Sequence, residues 1–287
     1  MLIKDLLNNK QTHFSFEYFP PKKQEQEESF FQTVEELNVF KPLFASVTYG
    51  AMGSNQEKSL RFVDHIQNTI KIETLAHFTC IGTTKENIDF FLEHLKKSGI
   101  YNILALRGDI PEGVKKDEVL QDFTYASDLV KYIKQKEKNR FSIGVAGYPE
   151  GHKETPDKKL YLEYLKRKVD EGADYIITQL FFENKFFFDF CNDARKAGIN
   201  VPILPGIMPI SNFKMIETIT KMCGAKIPNS IIDFFSQQDI SREDIDKFAL
   251  ENTFKQCKEL VDNGFRHIHF CTLNKSSVVK DVCKLLI

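Results

Sequence analysis

Glu17 is the carboxylate whose sequence surroundings most favour acid–base chemistry. It lies in the segment Ser15-Phe16-Glu17-Tyr18-Phe19, which places aromatic residues on both sides of it. Burial among aromatic side chains raises the pKa of a carboxyl group, because the charged form loses its hydration. A Glu17 that keeps its proton near neutral pH could then serve as a general acid. The alternative is an ionised Glu17 at the solvated edge of a strand.

Arg107-Gly108-Asp109 places a permanent cation, a glycine and a carboxylate in one short loop. An arginine can bind phosphate through two parallel hydrogen bonds. A glycine allows a flat ring or a phosphate to approach the backbone closely. The segment therefore predicts a site for an anionic or flat ligand. The alternative is an ordinary ion pair between Arg107 and Asp109 at the end of a strand.

Lys166-Arg167-Lys168 is a basic run on a predicted helix, where consecutive side chains point in different directions. At most two of the three can therefore face one ligand, and a solvated helix face is the alternative. His77 and His152 are candidate acids or ligands, although a structural role is commoner for such histidines. His267 and His269 share one face of a predicted strand, but no third metal ligand accompanies them. We predict no metal site, because no pair of histidines, and no carboxylate–histidine pair, has metal-ligand spacing on a shared element.

Eight short segments rich in β-branched and aromatic residues alternate with segments of helical periodicity. The helical segments include Glu27–Phe40, Glu57–Ile70 and Thr84–Lys97. Most of the candidate residues fall on or just after the predicted strands. These strands are His13–Phe19, Leu43–Thr48, Thr74–Thr79, Asn102–Leu106, Phe141–Ala146, Tyr175–Phe181, Val201–Gly206 and His267–Thr272.

Residues typical of helix ends support these predicted boundaries between helices and strands. Thr83 followed by Glu86 predicts a capping box at the start of the third helix, and Ser211 is a candidate N-cap for the seventh. Glycines stand where four helices should stop before the next strand. They are Gly99, Gly172, Gly198 and Gly264.

Eight strands with a helix between most of them predict an α/β fold of the (β/α)8 TIM-barrel type. The alternative is an open, doubly wound sheet, but neither a G-x-G-x-x-G nor a G-x-x-x-x-G-K-[ST] loop is present. Lys226–Gly264 is too long for one connection and predicts an extra helix before the eighth strand. No linker or shift in composition marks a boundary, so we expect one domain over residues 1–287.

The composition is that of an ordinary globular protein, with 42% hydrophobic and 28% charged residues. A formal net charge of -1 argues against nucleic acid as the main partner, because phosphate binding needs a concentrated basic face. No segment has the apolar length of a membrane span or the pattern of a signal peptide. The six cysteines form no C-x-x-C pair, and we expect them to be reduced in a cytoplasmic protein.

Ten short motifs, taken together, resemble the methylenetetrahydrofolate reductase family. Each motif is weak alone, but they follow in the family's order and extend over nearly the whole chain. They are Ser15–Lys22, Ser46–Ala51, His77–Cys80, Leu104–Asp109, Tyr125–Leu129, Tyr148–Glu150, Leu165–Asp170, Ile177–Phe182, Pro205–Ile210 and His269–Asn274.

The resemblance implies a (β/α)8 barrel that holds FAD and reduces 5,10-methylenetetrahydrofolate to 5-methyltetrahydrofolate with NADH or NADPH. This ping-pong reaction would supply methyl groups for methionine synthesis. Glu17 matches the family's general acid, and Asp109 matches a carboxylate near the flavin that also contacts the pterin. Gln179 matches an amide that contacts folate and nicotinamide, and Thr48 lies on the nicotinamide side. Lys275 stands where the bacterial family often has an arginine that is proposed to contact folate.

The resemblance also assigns a set of FAD-binding residues and favours a ligand role for two members of the basic run. Tyr161 and Tyr164 stand where the family often has polar FAD contacts, so we leave both out of the set. Because single-domain members of the family associate, we expect a homo-oligomer. The FAD-binding residues are Tyr49, Ala51, His77, Arg107, Gly108, Asp109, Tyr125, Ala126, Tyr148, His152, Arg167 and Lys168.

Three other functions remain open at this point. A barrel flavoenzyme of the proline dehydrogenase type would also couple FAD to a ring-containing amine. A flavin-binding or folate-binding protein without turnover would use the same residues for binding alone. An aldolase-like barrel is weaker, since no lysine lies clearly inside a predicted strand to form a Schiff base.

Overall fold

The structure is a computed structural model that describes residues 1–7, 11–48, 56–110 and 121–287. Its strands form one parallel sheet in which most strands pair with the next strand along the chain. They are β1 (His13–Tyr18), β2 (Phe44–Val47), β3 (Thr74–Thr79), β4 (Asn102–Leu106), β5 (Ser142–Gly147), β6 (Tyr175–Thr178), β7 (Ile203–Leu204), β8 (Gly206–Ile207) and β9 (His267–Cys271).

The sheet closes through its first and last strands. β9 pairs with β1 on one side and with β8 on the other, while β7 pairs with β6. β7 and β8 are the two halves of the predicted seventh strand, and Pro205 separates them because proline has no N–H for the ladder. The carbonyl of Pro205 still accepts a hydrogen bond from the His269 N–H at 3.0 Å. The predicted (β/α)8 barrel is confirmed, and the open sheet is wrong.

The predicted strand bounds are mostly right to within one or two residues. β3 and β4 have the predicted bounds, but β6 ends at Thr178 and not at Phe181. The Gln179 N–H still bonds to the Gly147 carbonyl at 2.7 Å, and the Leu180 N–H then bonds to the Gln179 side chain at 2.9 Å. The backbone therefore leaves the ladder at residue 180, where a side chain replaces the neighbouring strand as acceptor.

Helices follow most of the strands. The segment Lys226–Gly264 holds two helices, which confirms an extra helix before the last strand. In the described ranges, no helix is long and apolar enough to cross a membrane. The helices are α1 (Ile3–Leu6), α2 (Glu27–Asn38), α3 (Gln56–His65), α4 (Lys85–Lys97), α5 (Ala126–Glu137), α6 (Lys158–Asp170), α7 (Asn184–Lys196), α8 (Phe213–Cys223), α9 (Asn229–Phe235), α10 (Arg242–Asp262) and α11 (Ser277–Leu286).

Two of the predicted helix starts are displaced by one residue. α4 is capped by Thr84, whose hydroxyl accepts from the Asn87 N–H, and not by Thr83. α8 is capped by Asn212, whose side chain accepts from the Met215 N–H, and not by Ser211. In both cases the neighbouring residue could also have capped the helix, and the backbone geometry decides between them. The four predicted glycine stops are confirmed, each with a positive φ.

The barrel interior is apolar over much of its circumference. Phe44, Leu75, Leu104, Tyr175 and Leu204 form one buried cluster with Ile3 and Ile177. The alternate residues of these strands point outwards and pack against the helices. β1 and β9 differ from this pattern, because they turn histidines, a serine and Glu17 inwards.

α1 packs against the N-terminal end of the barrel, where Ile3 joins the interior cluster, and the sequence did not predict this helix. The fully buried Asn102 on β4 accepts a hydrogen bond from the Ile3 N–H at 2.8 Å. Its amide donates to a carboxylate oxygen of Glu73 at 2.9 Å and to the Met1 carbonyl at 3.1 Å. One buried amide therefore joins the N-terminal segment to two strands.

Replacing Asn102 with alanine should lower the free energy of unfolding by roughly 2–4 kcal/mol, because the buried Ile3 N–H loses its partner and the Glu73 carboxylate keeps only its ion pair with the Met1 ammonium. Asn192→Ala, at an exposed position of α7, is the matched control and should change stability by no more than about 0.5 kcal/mol. Urea denaturation of the ligand-free protein measures both. Equal midpoints for the two variants would show that Asn102 does not hold α1 in place.

Candidate active site

Glu17 lies in a cluster at the C-terminal mouth of the barrel, where its carboxylate is enclosed by two histidines. Its Oε2 atom is 3.4 Å from His269 Nε2 and 3.6 Å from His77 Nε2. The two imidazoles are almost fully buried, while 18% of the Glu17 side chain remains exposed. The Ser15 hydroxyl is 2.7 Å from His269 Nδ1 and holds that ring in place. We call Glu17, His77 and His269 the carboxylate cluster.

Two opposing effects act on the pKa of Glu17. Burial raises it, but the hydrogen bond from His269 and the electrostatic attraction of His77 and His269 together outweigh burial, so the pKa lies below its ordinary value. The prediction of a raised pKa is therefore wrong for the ligand-free protein. It rested on the aromatic neighbours Phe16 and Tyr18, which alternate to the outer face of β1 and do not surround the carboxylate.

The pKa of His77 is also shifted downwards, but here burial is the cause. Burial lowers its pKa, and the attraction of Glu17 opposes that shift only in part. His77 therefore stays a neutral imidazole near neutral pH. Glu17 is ionised at the same pH, so a proton or a cationic reaction intermediate could neutralise its negative charge.

Beside the cluster lies a cavity of about 560 Å³, open to solvent, between the ends of β3 to β5 and the helices α5 and α6. Thr79 lines it, and His77 lies two residues earlier on the same inward face of β3, so the cavity and the cluster are neighbours. Nine of the predicted FAD-binding residues line the cavity. They are Arg107, Gly108, Asp109, Tyr125, Ala126, Tyr148, His152, Arg167 and Lys168.

The remaining predicted residues lie elsewhere. Tyr49 and Ala51 lie outside the described residues. Thr48 directly follows β2, and its N–H bonds to the Tyr18 carbonyl of β1 at 2.9 Å. Gln179 directly follows β6 at the mouth, and Lys275 is exposed after β9. None of these last three is among the residues that line the cavity.

Arg107 is already paired, though not with Asp109. Its guanidinium makes two hydrogen bonds of 2.6 Å to the carboxylate of Glu154, and that partner raises its pKa. Glu154 follows β5 in a short turn, in which its N–H donates to His152 Nδ1 at 3.2 Å. Sequence reasoning missed Glu154, because only this turn brings it across to the end of β4. An anionic ligand at Arg107 has to compete with a carboxylate.

The basic run on α6 divides as the helical geometry predicts. Arg167 and Lys168 line the cavity, whereas Lys166 pairs with Asp170 at 2.6 Å. The Lys168 ammonium donates to the Ala146 carbonyl at 2.7 Å, and burial lowers its pKa to about 8. Among the described residues it forms no ion pair with a carboxylate. This enclosed cation is available to an anionic ligand in the cavity.

Two tyrosines of α6 that we had left out also line the cavity. The rings of Tyr164 and Tyr125 stack with centroids 6.3 Å apart, and the Arg167 guanidinium lies 6.0 Å from the Tyr164 ring. The Tyr161 hydroxyl accepts a hydrogen bond from the Tyr148 N–H at 2.6 Å. Their spacing of three residues, in step with Lys168 one turn later, was the signal that could have identified them.

Both the backbone conformation and the lack of space at position 108 require a glycine. Its φ is +88°, and a Cβ atom there would lie 2.8 Å from Ile81 Cγ2 and 3.0 Å from Thr79 Cβ. Any other residue would be strained and would push against the end of β3. The glycine thus keeps the Arg107–Asp109 loop close to the cavity.

The chain matches the methylenetetrahydrofolate reductase family over residues 2–286. It is 40% identical over 282 residues to methylenetetrahydrofolate reductase (NADH) 1 of Arabidopsis thaliana, covering 95% of this chain and 48% of that protein. It is 36% identical over 276 residues to 5,10-methylenetetrahydrofolate reductase of Escherichia coli, covering 96% and 91%. The chain thus spans about half the length of the plant relative and most of the bacterial one.

A solved structure shares the fold. A protein from Clostridium thermocellum, described as binding two copies of 5-methyl-5,6,7,8-tetrahydrofolic acid, superposes with a TM-score of 0.69 at 16% identity. The match covers 100% of this chain and 98% of that one. At this identity the likeness concerns the barrel architecture alone.

The pKa of the Glu17 carboxyl should rise in His269→Phe, because that variant removes both the hydrogen bond and the electrostatic attraction of one imidazole. It should rise less in His77→Phe, which removes only an electrostatic attraction. Carbon-13 NMR of labelled glutamate carboxyls gives both values. Glu36, whose pKa is lowered by Ser276 on the outside of the barrel, is the internal control and should not move. An unchanged Glu17 pKa in both variants would contradict the cluster.

Proposed function

The chain belongs to the methylenetetrahydrofolate reductase family, and we propose that it reduces 5,10-methylenetetrahydrofolate to 5-methyltetrahydrofolate with NADH or NADPH, using bound FAD. The observation that carries this proposal is the enclosed Glu17, which lies at the mouth of the barrel beside a cavity with cationic and aromatic walls. The family match favours this function over proline oxidation or an aldolase reaction. The product would supply methyl groups for methionine synthesis.

The cavity fits FAD in its chemistry. A dinucleotide cofactor combines a pyrophosphate with flat rings, and the cavity offers Lys168 and Arg167 for the anion and Tyr125 and Tyr164 for stacking. Arg107 would hold the cofactor at the end of β4, and Gly108 keeps its loop close. The remaining proposed contacts with FAD are made by Tyr148, His152, Ala126, His77, Tyr49 and Ala51. When bound, FAD would supply the hydride carrier of a ping-pong reaction.

Glu17 would supply the proton that the folate needs. Opening the five-membered ring of the substrate frees a nitrogen, which takes a proton while the bridging carbon becomes electrophilic. Glu17 is ionised in the ligand-free protein, so its carboxyl has to be protonated before this step. Folate above the mouth would remove the remaining exposure of Glu17, which favours the neutral acid. The His269 Nε2–H lies close enough to deliver the proton.

The other proposed substrate contacts surround the mouth. Asp109 lines the cavity and would hold the pterin through its carboxylate. Gln179 would contact both folate and nicotinamide from the end of β6, and Thr48 would contact the nicotinamide from the end of β2. Lys275 is exposed beyond β9 and would meet the outer part of the folate as a point charge.

Glu17→Gln should separate the two halves of the reaction. Reduction of the flavin by NADH should remain within about threefold of wild type, whereas reoxidation by methylenetetrahydrofolate should slow by a factor of about 100 or more. Anaerobic stopped flow on the flavin absorbance measures both rates. Glu183→Gln, an exposed glutamate before α7, is the matched control and should leave both rates unchanged. Equal folate rates for Glu17→Gln and wild type would refute Glu17 as the acid.

Lys168 should make FAD binding depend on pH. Its pKa of about 8 means that it binds an anion as a cation below pH 8 and loses its charge above it. The dissociation constant of FAD should therefore rise by about tenfold from pH 7 to pH 9 in wild type. Lys168→Met should bind FAD more weakly at pH 7 and lose most of this dependence. Lys166→Met, one residue away and paired outside the cavity, should behave like wild type.

Flavin fluorescence titration of the cofactor-free protein gives these constants. If Lys168→Met kept both the affinity and the pH dependence of wild type, Lys168 would not be a phosphate contact. If Lys166→Met lost them as well, the effect would come from the general charge of α6.

A further inference from the structure

Five polar side chains form a file along the inside of the barrel from its N-terminal end to its C-terminal mouth. His13, Ser15 and Glu17 alternate on β1, and His267 and His269 alternate on β9. The two strands pair in register, with His13 beside His267 and Ser15 beside His269. The file spans four strand residues, roughly 13 Å. It stands in an interior that is otherwise lined largely by apolar side chains.

Successive hydrogen bonds join four members of the file, from His267 through Ser15 and His269 to Glu17. His267 Nε2 is 3.0 Å from the Ser15 hydroxyl, which is 2.7 Å from His269 Nδ1. His269 Nε2 is in turn 3.4 Å from the Glu17 carboxylate. An ionised carboxylate can only accept, so His269 carries its proton on Nε2 and accepts from Ser15 at Nδ1. Ser15 then accepts from the Nε2–H of His267, and every donor points towards Glu17.

An aromatic ring shields the middle of the file from water. The fully buried Phe44 on β2 stacks on both His267 and His269, with centroid distances of 5.5 and 5.6 Å. Ser15 is also fully buried. The rings are held nearly parallel, at 24° and 25°, so the two imidazoles keep the orientation that the hydrogen bonds need.

The N-terminal end of the file differs from its middle. As whole residues His13 and His267 are partly exposed, but their His13 Nε2 and His267 Nδ1 atoms are buried and have no hydrogen-bond partner among the described residues. Burial lowers the pKa of His267 to about 3 and lowers that of His13, so both imidazoles are neutral. A neutral imidazole with one bare nitrogen can take up a proton and release another.

We propose that this file is a proton relay, which re-protonates Glu17 from the solvent at the N-terminal end of the barrel, opposite the substrates. The inference rests on the proposed function, in which Glu17 gives one proton to folate in each turnover. Substrate above the mouth closes the direct route from solvent to Glu17. The file would then carry the proton to Glu17 from the N-terminal end of the barrel.

The transfer moves one proton and no electrons. The His269 Nε2–H bond breaks as the Glu17 O–H bond forms, and the Ser15 hydroxyl gives its proton to His269 Nδ1. The His267 Nε2–H bond breaks to restore the hydroxyl, and the buried His267 Nδ1 binds a proton that enters from solvent by way of the partly exposed His13. Both imidazoles then carry the proton on Nδ1, so their rings have to reorient before the next passage.

His267→Gln and His267→Phe distinguish a relay from a structural hydrogen bond. The glutamine can still donate an N–H to Ser15, but an amide does not pass a proton on, whereas the phenylalanine does neither. For a relay, both variants should slow the reoxidation of reduced flavin by methylenetetrahydrofolate by at least about tenfold. In His267→Gln the solvent deuterium isotope effect on that step should also increase. Reduction by NADH should be unchanged in both.

Ser15→Ala, which removes one oxygen from the middle of the file, should reproduce the slow folate step. His94→Gln, on the outer helix α4, is the matched control. If His267→Gln kept both the wild-type rate and isotope effect while His267→Phe was slow, the file would be structural and the relay refuted. If wild type itself were not reoxidised by folate, the proposed function would fail, and the relay with it. A slow NADH step in the variants would also overturn the relay, since it would reveal a general defect.

Discussion

The Glu17 carboxylate is mostly buried inside a largely apolar barrel, and this burial links the candidate site to the fold. A buried carboxylate needs hydrogen bonds and opposite charge to offset its lost hydration. Its partners, His77 and His269, come from β3 and β9, so the compensation exists only when the barrel closes between its first and last strands. Closure also sets the edge of the adjoining cavity, because His77 and the cavity residue Thr79 share one face of β3. Fold and candidate chemistry thus depend on the same contact.

Local patterns predicted most of the fold. Alternating apolar segments identified β3 and β4 to the residue, and the length of Lys226–Gly264 indicated the added helix. The predictions that proved wrong concern properties that depend on residues far apart in the sequence. The pKa of Glu17 went the opposite way, because its sequence neighbours lie on the other face of β1 while its real neighbours are far along the chain. The alternation of histidines on β9 was visible, but its pairing with Ser15 across the closure was not.

The residues that line the cavity could likewise be predicted only in part from the sequence. The resemblance to the family identified nine residues that the structure brings to one cavity, although several are separated by a strand and a helix. Glu154 was missed, and its ion pair with Arg107 means that a phosphate or carboxylate ligand meets an occupied cation there. Lys168 has no such partner among the described residues, so the two cations differ in how readily they accept an anion.

We propose that a cofactor held in this cavity reduces methylenetetrahydrofolate above Glu17. To test this, the FAD-loaded protein is incubated with NADH or NADPH and methylenetetrahydrofolate without oxygen, and the folate product is identified by mass spectrometry. We expect one 5-methyltetrahydrofolate for each nicotinamide nucleotide oxidised, with one proton taken up from the medium. Oxidation of neither nucleotide, or oxidation without that product while FAD remains bound, would contradict this proposal.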